Sequence, residues 1–516
     1  SVVVDLKRTN PANWSTPKGS SRPQVDSVIY EMHVRDFTVD PSSGVKPEWR
    51  GKYLGLTQTG TTVPGSSQKT GLDYLKDLGV TDVHLLPIQN FNPANSGVYN
   101  WGYETTLFNV PEEQYSTRPN EPLNTILETK LMIQAMHKVG LRVVMDVVYN
   151  HTVPAGGDDS AFWQTVPYFY FRTNDQGQLV NESGVGNAVN DDHAMVRKYV
   201  RDSVSFWLRE YGIDGYRFDL IGMFNKQTVQ DIARTLRKIR PDVVLYGEPW
   251  TGGGPTRFGK GSQRGTGFAV FNDNIRNAMR GDLDGTKAGF VMGGLTSTTQ
   301  IMKGIIGSIT DFTDSPLETV NYVSAHDNLT LWDKLDKAMP DAPLELKASA
   351  AQLAGAIVLT SQGVPFLEGG AEIGRTKGGN NNSYNTGDKD NRFDWARAAQ
   401  FSGVREYYKG LIAIRKSHRA FRLWDAKDVR EVLAFIPENR LPTSTIAYTL
   451  NGAKVSDSWK QILVVLHGSK NAETMQLPLG TWRVAANGVT ASASASLGTV
   501  SGSLKLEPLS AYILYQ

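Results

Sequence analysis

Arg217 and Asp219 are the first residues whose types and spacing could do chemistry. They lie two positions apart in Gly-Tyr-Arg-Phe-Asp (215–219), a run typical of a short buried strand, and side chains two apart on a strand share a face. An arginine beside a carboxylate holds the acid ionised at neutral pH, which a nucleophilic aspartate requires. The same pair could also be a structural ion pair at the end of a strand in an α/β protein, so its interpretation depends on the other residues of the chain.

Three other apolar runs end on polar side chains of the same kind. The run Leu141–Tyr149 carries Asp146 and is followed by Asn150 and His151; Val243–Gly247 is followed by Glu248, and Val320–Ser324 is followed closely by His326, Asp327 and Asn328. Several carboxylates facing a polyhydroxylated substrate are characteristic of glycoside chemistry. The sequence has no Gly-x-Ser-x-Gly elbow and no metal-spaced histidine and cysteine set, so it predicts carboxylate-based cleavage of a glycosidic bond.

Composition limits the classes of protein to consider. The 516 residues include 54 basic and 52 acidic side chains, and a net charge of +2 gives no reason to expect nucleic acid or a membrane surface as a partner. The absence of cysteine excludes disulfides and thiolate metal sites, and it fits the bacterial cytoplasm and disulfide-free secretion alike. Residues 1–6 lack the length and basic start of a signal peptide, and no apolar stretch approaches the length of a transmembrane helix.

The elements that must position these residues alternate between apolar runs and amphipathic segments. The predicted strands are Val28–Phe37, Val83–Ile88, Leu141–Tyr149, Gly215–Asp219, Val243–Gly247, Phe268–Phe271, Val320–Ser324 and Val364–Leu367. The predicted helices between and after them are Gly71–Leu78, Leu123–Val139, Ala194–Tyr211, Gln227–Ile239, Leu346–Thr360 and Val404–Lys416. Eight such strands predict an α/β fold, a (β/α)8 TIM barrel, whose site lies at the carboxyl ends of the strands. A doubly wound open sheet is the alternative, but no Gly-x-Gly-x-x-Gly follows the first strand.

The change in the pattern of predicted strands and helices along the chain also predicts its domains. Residues 1–25 are a polar lead-in with a β-like run at Val2–Val4, and residues 26–424 form the barrel, with an insertion at about 151–191. Residues 425–516 form an antiparallel β-sandwich. Its predicted strands are Val432–Phe435, Thr445–Leu450, Gln461–Leu466 and Ala511–Tyr515, with turns and weak strands over Ala485–Gly502.

Four motifs resemble the signature regions of the α-amylase superfamily, in the same order. They are Asp-Val-Val-Tyr-Asn-His (146–151), Gly-Tyr-Arg-Phe-Asp (215–219), Gly-Glu-Pro-Trp (247–250) and Tyr-Val-Ser-Ala-His-Asp (322–327). Within that superfamily the chain resembles type I pullulanases, which are bacterial α-1,6 debranching enzymes. Tyr-Asn-Trp-Gly-Tyr (99–103) is similar to their hallmark pentapeptide, and Leu-Ile-Gly (220–222) resembles their pattern after the nucleophile.

The resemblance implies a retaining hydrolase of α-1,6 links in pullulan and branched α-glucans. It assigns Asp219 as the nucleophile, Glu248 as the acid and base, and Asp327 as the acid that stabilises the transition state. It also implies a set of substrate-binding residues: Tyr103, Trp101, Asp146, His151, Arg217, Trp250, His326 and Asn328. We expect no required cofactor, an α-glucan polysaccharide or oligosaccharide as the only partner, and a monomer.

Two departures from the resemblance leave alternatives open. Glu104 and Thr105 stand where the family usually has Asp-Pro beside Tyr103, so an α-1,4-active or dual-specificity enzyme is the alternative. The family also usually carries a β-sandwich before the barrel, and residues 2–6 resemble only its last strand. A non-catalytic glucan-binding barrel is a further alternative, but such a chain would be expected to lose its catalytic acids.

Some of the polar residues also have structural interpretations. Asp146 and Asn150 could bond backbone at the strand end, and His33 and His84 are interpreted as core histidines within strands. The acids of the insertion could hold calcium through oxygen ligands, although their irregular spacing equally predicts a solvated acidic surface. They are Asp158, Asp159, Asp191 and Asp192.

Overall fold

Eight parallel strands close into a barrel in the computed structural model, which describes residues 3–14, 19–91, 98–294 and 298–516. The strands up to residue 368 are β1 (Ile29–Met32), β2 (Asp82–Leu85), β3 (Gln89–Phe91), β4 (Thr105–Pro111), β5 (Arg142–Val147), β6 (Gly215–Phe218), β7 (Val244–Gly247), β8 (Ala269–Phe271), β9 (Thr319–Asn321) and β10 (Val364–Glu368). Around the barrel the order is β1-β10-β9-β8-β7-β6-β5-β2, while β3 and β4 pair as a separate antiparallel ladder. The predicted (β/α)8 fold is confirmed, and each barrel strand overlaps a predicted run.

Helices cover the outside of the barrel and connect its strands. They are α1 (Asp36–Val39), α2 (Gly71–Leu78), α3 (Pro122–Lys138), α4 (Ala161–Thr165), α5 (Ala194–Phe206), α6 (Lys226–Ile239), α7 (Asp273–Arg280), α8 (Thr298–Ile305), α9 (Leu331–Ala338), α10 (Leu344–Thr360), α11 (Asp388–Asn391), α12 (Arg397–Gln400), α13 (Ser402–Ser417) and α14 (Ala426–Val432). In α6 the buried Val229, Ile232, Ala233 and Leu236 recur at helical spacing, so one face packs on the barrel while the other stays polar.

The sequence interpretation missed several shorter elements. The first predicted strand is too long, because the chain leaves β1 at Met32 and enters α1 at Asp36. The predicted helix 194–211 ends as an α-helix at Phe206 and continues as one π-helical turn to Tyr211. The sequence interpretation also missed helices α7 and α9 and the β3–β4 ladder.

The inside of the barrel is apolar at its centre and polar at the carboxyl ends of the strands. Its central cluster consists of Ile29, Val144, Val244, Tyr246, Ala269, Phe271, Val320, Tyr322, Val364 and Phe366. Two positions further along β1 and β5, the same inward face carries Glu31 and Asp146 instead. In the parallel register Asp146 lies opposite Arg217 of β6, and Glu31 lies opposite His84 of β2. The fold therefore gathers charged side chains at one end of the barrel.

The last part of the chain is an antiparallel β domain, as predicted. Its strands are β11 (Leu433–Phe435), β12 (Thr445–Leu450), β13 (Ile462–His467), β14 (Glu473–Asn487), β15 (Thr499–Leu506) and β16 (Ser510–Tyr515), which form one sheet in the order β11-β12-β13-β16-β14-β15. One face packs against α10 and α13, where Tyr448 donates to the carbonyl of Thr360 and Tyr407 donates to that of Ala511. The other face has its own apolar cluster around Leu463 and Trp482. Most of the predicted turn region 485–502 separates the long strands β14 and β15, whose lengths the sequence did not predict.

The lead-in lies against the barrel. Lys130 of α3 is buried, and its Nζ donates to the side chains of Thr9 at 3.1 Å and Asn10 at 2.7 Å. Of the predicted run Val2–Val4, Val2 lies outside the described residues, and residues 3–5 are not in a strand. Within the described parts of the chain, no helix is both long enough and apolar enough to cross a membrane.

Candidate active site

The turn after β6 places Asp219 at the mouth of the barrel. The Asp219 amide still donates to the carbonyl of Val147 on β5 at 3.0 Å, so the carboxylate keeps the inward direction set by the strand. The chain then turns through Leu220 at a φ of 40°, and the amide of Gly222 donates to the carbonyl of Glu248 at 3.0 Å. A Cβ at Gly222 would collide with the carbonyl of Trp250. The glycine therefore lets the turn after β6 pack directly on the loop after β7.

Arg217 connects the acids of this site. Its Nη1 lies 2.8 Å from an oxygen of Asp146 and 3.0 Å from Oδ1 of Asp219, while its Nη2 lies 2.6 Å from Oε1 of Glu248. The side chain is only 2% exposed, so these contacts are little screened by solvent. Although burial alone lowers the pKa of Arg217, Asp146 and Glu248 raise it well above its ordinary value. One guanidinium thus sets the positions of two acids that the sequence assigns to catalysis.

Glu248 is the acid of this group with a pKa near neutrality. Its side chain is 8% exposed, and the amide of Leu220 donates to Oε2 at 3.0 Å. Burial raises the pKa of Glu248 to about 7, with Arg217 opposing the rise and the charges of Asp219 and Asp327 adding to it. A carboxyl group with this pKa can hold a proton and release it near pH 7, which is the requirement for a general acid.

Asp219 is held by amide and guanidinium donors. Asn150 Nδ2 donates both to Oδ2 of Asp219, at 2.7 Å, and to its backbone carbonyl, at 2.8 Å. Burial raises the pKa of Asp219, while Arg217 and Asn150 stabilise the charged form and oppose that rise. The predicted contact between Arg217 and Asp219 is confirmed. The net shift of the Asp219 pKa is nevertheless upward, because burial outweighs the opposing effect of Arg217, and the sequence did not reveal that burial.

His326 and Tyr103 form one wall of the site. Their rings are stacked with centroids 5.0 Å apart and planes 14° apart, and Tyr103 Oη donates to Oδ2 of Asp146 at 2.7 Å. The side chain of Asp327 is 59% exposed and reaches into the cleft, with Oδ2 at 3.7 Å from His326 Nε2. Tyr103 is half-buried, with the His326 ring stacked on it and Arg217 Cζ 5.7 Å from its ring centroid.

The cleft beside these residues has a volume of about 310 Å³. Trp250, half-buried, forms a wall next to Glu248, and Asn328 lies at the rim, where its Nδ2 donates to Asp284 at 2.8 Å. Glu248, Asp327, Arg217 and His326 also line this volume. The space is open to solvent and has the polar lining that a sugar requires.

Three of the predicted substrate-binding residues lie behind the cleft. Asp146 is fully buried and receives hydrogen bonds from the side chains of Tyr103 and Arg217, not from the backbone as the structural interpretation expected. Trp101 is 3% exposed, and its Nε1 donates to Asn391 at 3.2 Å. Both ring nitrogens of His151 face protein oxygens, Oδ1 of Asn150 and, at 2.9 Å, the carbonyl of Tyr103. In this structure these side chains support the wall of the site, and their direct contact with sugar stays a prediction.

The structure adds two residues that the sequence interpretation missed. Glu31 of β1 lies 2.7 Å from His326 Nδ1, and Lys377 Nζ donates to the carbonyl of His326 at 2.6 Å. Glu31 follows the inward-facing Ile29 by two positions, a signal that could have placed it inside the barrel. Nothing local to Lys377 indicates its contact, since it depends on the path of the loop after β10.

Asp191, one of the acids that could hold calcium, is bound by donors of the protein itself. The carboxylate of Asp191 is buried and bound by Arg172, by Thr228 at 2.6 Å and by the amide of Asn225 at 2.7 Å. No group of three or more carboxylate, imidazole or thiol side chains suited to a metal occurs among the described residues, which include all four predicted calcium ligands. The described residues therefore give no support to the calcium alternative at these acids.

Two family models match parts of the chain. One, for the alpha amylase catalytic domain, covers residues 62–166, and one, for a pullulanase all-beta domain, covers residues 429–490. The first lies in the barrel and the second in the antiparallel domain, so both agree with the architecture described above.

Whole-chain relatives and solved structures agree with these models. The chain is 39% identical to the pullulanase of Bacillus subtilis strain 168 over 91% of its own length and 67% of the relative's. The structure of Bacillus acidopullulyticus pullulanase superposes with a TM-score of 0.95 at 44% identity, covering 100% of this chain and 64% of that one. The pullulanase of Paenibacillus barengoltzii in complex with maltohexaose and alpha-cyclodextrin superposes with a TM-score of 0.92 at 38% identity, covering 99% and 81%. This chain thus spans about two thirds to four fifths of the length of these proteins.

Proposed function

This chain belongs to the pullulanase family, and we propose that it hydrolyses α-1,6-glucosidic bonds in pullulan and branched α-glucans with retention of configuration. The observation that carries the proposal is the guanidinium of Arg217, whose Nη1 lies 3.0 Å from Asp219 and whose Nη2 lies 2.6 Å from Glu248. A shared arginine brings one held carboxylate and one acid with a pKa of about 7 to the same cleft, and retaining hydrolysis uses such a pair.

Each acid has a separate role in the proposed reaction. Asp219 attacks the anomeric carbon, and the glycosidic C–O bond breaks as Glu248 gives its proton to the leaving oxygen. In the second step Glu248 takes a proton from water, whose oxygen displaces Asp219 from the sugar, so enzyme and proton count are restored. Asp327 is the exposed acid of the site and binds hydroxyls of the distorted sugar as positive charge develops on it.

The sugar-binding role is assigned to the side chains that reach the cleft. Tyr103 supplies a stacking face for the cleaved sugar, and Trp250 supplies a wall on the leaving-group side. His326 and Asn328 add polar groups on the same side of the cleft. An α-glucan is the proposed partner, in keeping with the complex of the Paenibacillus barengoltzii relative with maltohexaose and alpha-cyclodextrin. We further propose that the chain acts as a monomer, needs no metal, and divides near residues 25 and 425.

Glu104 is the residue on which bond specificity depends. Its Oε2 lies 3.3 Å from Asn100 Nδ2, and Asn100 in turn accepts from the amide of Gly102 at 2.8 Å, directly before Tyr103. Replacing the family's aspartate by a glutamate changes this contact by one methylene. A hydrogen bond gained or lost through that change is worth about 1 kcal/mol, which corresponds to a several-fold change in the rate of cleavage. We therefore expect some α-1,4 cleavage beside a retained preference for α-1,6 bonds.

Digestion of pullulan and unbranched amylose side by side tests the proposal. We expect maltotriose from pullulan and slower shortening of amylose, with Asp219→Asn as the inactive control. Panose or isopanose, or faster shortening of amylose, would show that the enzyme is an α-1,4 hydrolase. Binding of both glucans without any product would show a non-catalytic barrel. Glu104→Asp should lower the amylose-to-pullulan rate ratio several-fold.

A further inference from the structure

Glu31 is a buried carboxylate of β1 that the proposed reaction leaves without a role. Its side chain is 3% exposed, and Oε1 lies 2.7 Å from Nδ1 of His326, a residue 295 positions away in the chain. We propose that Glu31 is a positioning residue. Its carboxylate accepts the Nδ1–H of His326, so that the ring stays doubly protonated and presents Nε2–H to a sugar hydroxyl beside Asp327. This inference rests on the proposed function, since it assigns the sugar as the group that Nε2–H binds.

The packing around His326 leaves its ring one orientation. Tyr103 stacks on one face at 5.0 Å, and Trp101 meets the ring edge-on at 5.1 Å with an angle of 89°. Lys377 Nζ donates to the backbone carbonyl of His326 at 2.6 Å, which holds the loop that carries the ring. With Nδ1 directed at Glu31, Nε2 is the nitrogen on the side of Asp327, whose Oδ2 is 3.7 Å away. A ring held on these sides donates in a fixed direction.

The charges that face the ring favour its cationic form. Burial lowers the pKa of His326, but Asp327 and Glu31 together raise it to about 9, against the opposing charge of Arg217. Asp146 is a further anion near the ring, and Lys377 a further cation. His84, on the neighbouring strand, has Nδ1 at 3.9 Å from Glu31. Glu31 is itself kept charged: burial raises its pKa, but His326, His84 and Arg217 together lower it below its ordinary value.

Glu368 provides a matched control for Glu31. It lies on β10, directly opposite Glu31 in the parallel register, and it is 2% exposed. Burial raises the pKa of its carboxyl group, and the hydroxyl of Ser324 is a neighbour that opposes this rise. Glu368→Gln therefore changes a buried acid at the same level of the barrel without removing a contact to His326.

The test follows the titration of His326 and the hydrolysis of pullulan in Glu31→Gln. With nitrogen-15-labelled histidine, the NMR pKa of His326 should fall from about 9 by more than one unit, and it should stay unchanged in Glu368→Gln. The value of kcat/KM on pullulan should fall about tenfold at pH 6 and further at pH 8, where the uncharged ring predominates. In a His326→Gln background, Glu31→Gln should lower kcat/KM by less than twofold, because the effect of Glu31 acts through the His326 ring.

An unchanged His326 pKa in Glu31→Gln, or an equal loss of activity in the His326→Gln background, would overturn the inference. If Glu31→Gln does not fold, Glu31→Asp serves instead: the shorter side chain breaks the 2.7 Å contact, and a His326 pKa that stays at about 9 would then refute the role. A parent enzyme inactive on pullulan would refute the proposed function, whereas the NMR titration decides the role of Glu31 independently of activity.

Discussion

Replacing Arg217 by glutamine should make the protein less stable, and the loss should grow as the pH rises. In the parent, this side chain is 2% exposed and makes contacts of 2.8, 3.0 and 2.6 Å with Asp146, Asp219 and Glu248. Removing one partner of a buried ion pair typically costs about 3–5 kcal/mol, because the remaining charge is left without a partner in a poor solvent. Here three carboxylates lose the same cation, so we expect a loss of at least about 3 kcal/mol at pH 7.

The sign of the pH dependence follows from the protons that the acids bind. In the parent, Arg217 lowers the pKa values of Asp219 and Glu248. Without the guanidinium, both pKa values therefore rise further above those in the unfolded chain. The folded variant then binds more protons than the unfolded chain, and its stability falls as the pH rises. The penalty is therefore smaller at pH 5, below the Glu248 pKa of about 7, than at pH 8, above it.

Urea unfolding of Arg217→Gln at pH 5 and pH 8 measures this difference. Arg276→Gln is the control, because Arg276 lines the same cleft but donates to the neutral groups Tyr322 Oη and Asn277 Oδ1. We expect the control to change the free energy of unfolding by less than about 1 kcal/mol at both pH values. A variant at Arg217 that is as stable as the parent at pH 8, or that loses more stability at pH 5, would refute the reasoning.

Three further predictions concern activity and metal. Asp219→Asn should lower kcat on pullulan by at least about a thousandfold, while the affinity for maltotriose stays within several-fold of the parent. Rate measurements on pullulan and calorimetry with maltotriose check this, with Asp159→Asn as the control. A smaller loss of activity would show that another residue is the nucleophile. In the parent, kcat/KM should fall as the pH rises through about 7, because Glu248 must be protonated to donate its proton, and a pH profile that stays flat to pH 9 would contradict that role. Dialysis against EDTA should leave both the melting temperature and the activity unchanged, since Asp191 is bound by Arg172 and Thr228; a loss that calcium restores would disprove it.

The barrel and the main acids could be predicted because their signals are local. Asp219 directly follows the strand-like run Gly215–Phe218 and Glu248 the run Val243–Gly247, and β6 and β7 end immediately before them. Side chains that alternate along a strand need only their neighbours in the sequence to define a face. The same local reasoning failed for β14 and β15, because these strands exist through pairing with each other and, for β14, with β16.

The sequence by itself thus indicated Asp219, Glu248 and Asp327 and the order in which the strands deliver them. Only the tertiary structure decided which side chains reach the cleft: Asp146 and Trp101 lie behind its wall, whereas Asp327 projects into it. It also brought Glu31 and Lys377 to His326, across 295 and 51 positions of the chain. Burial and contacts of that range depend on how strands and loops close around the barrel, and they set the pKa values of the site because desolvation and nearby charges do not follow from sequence neighbours.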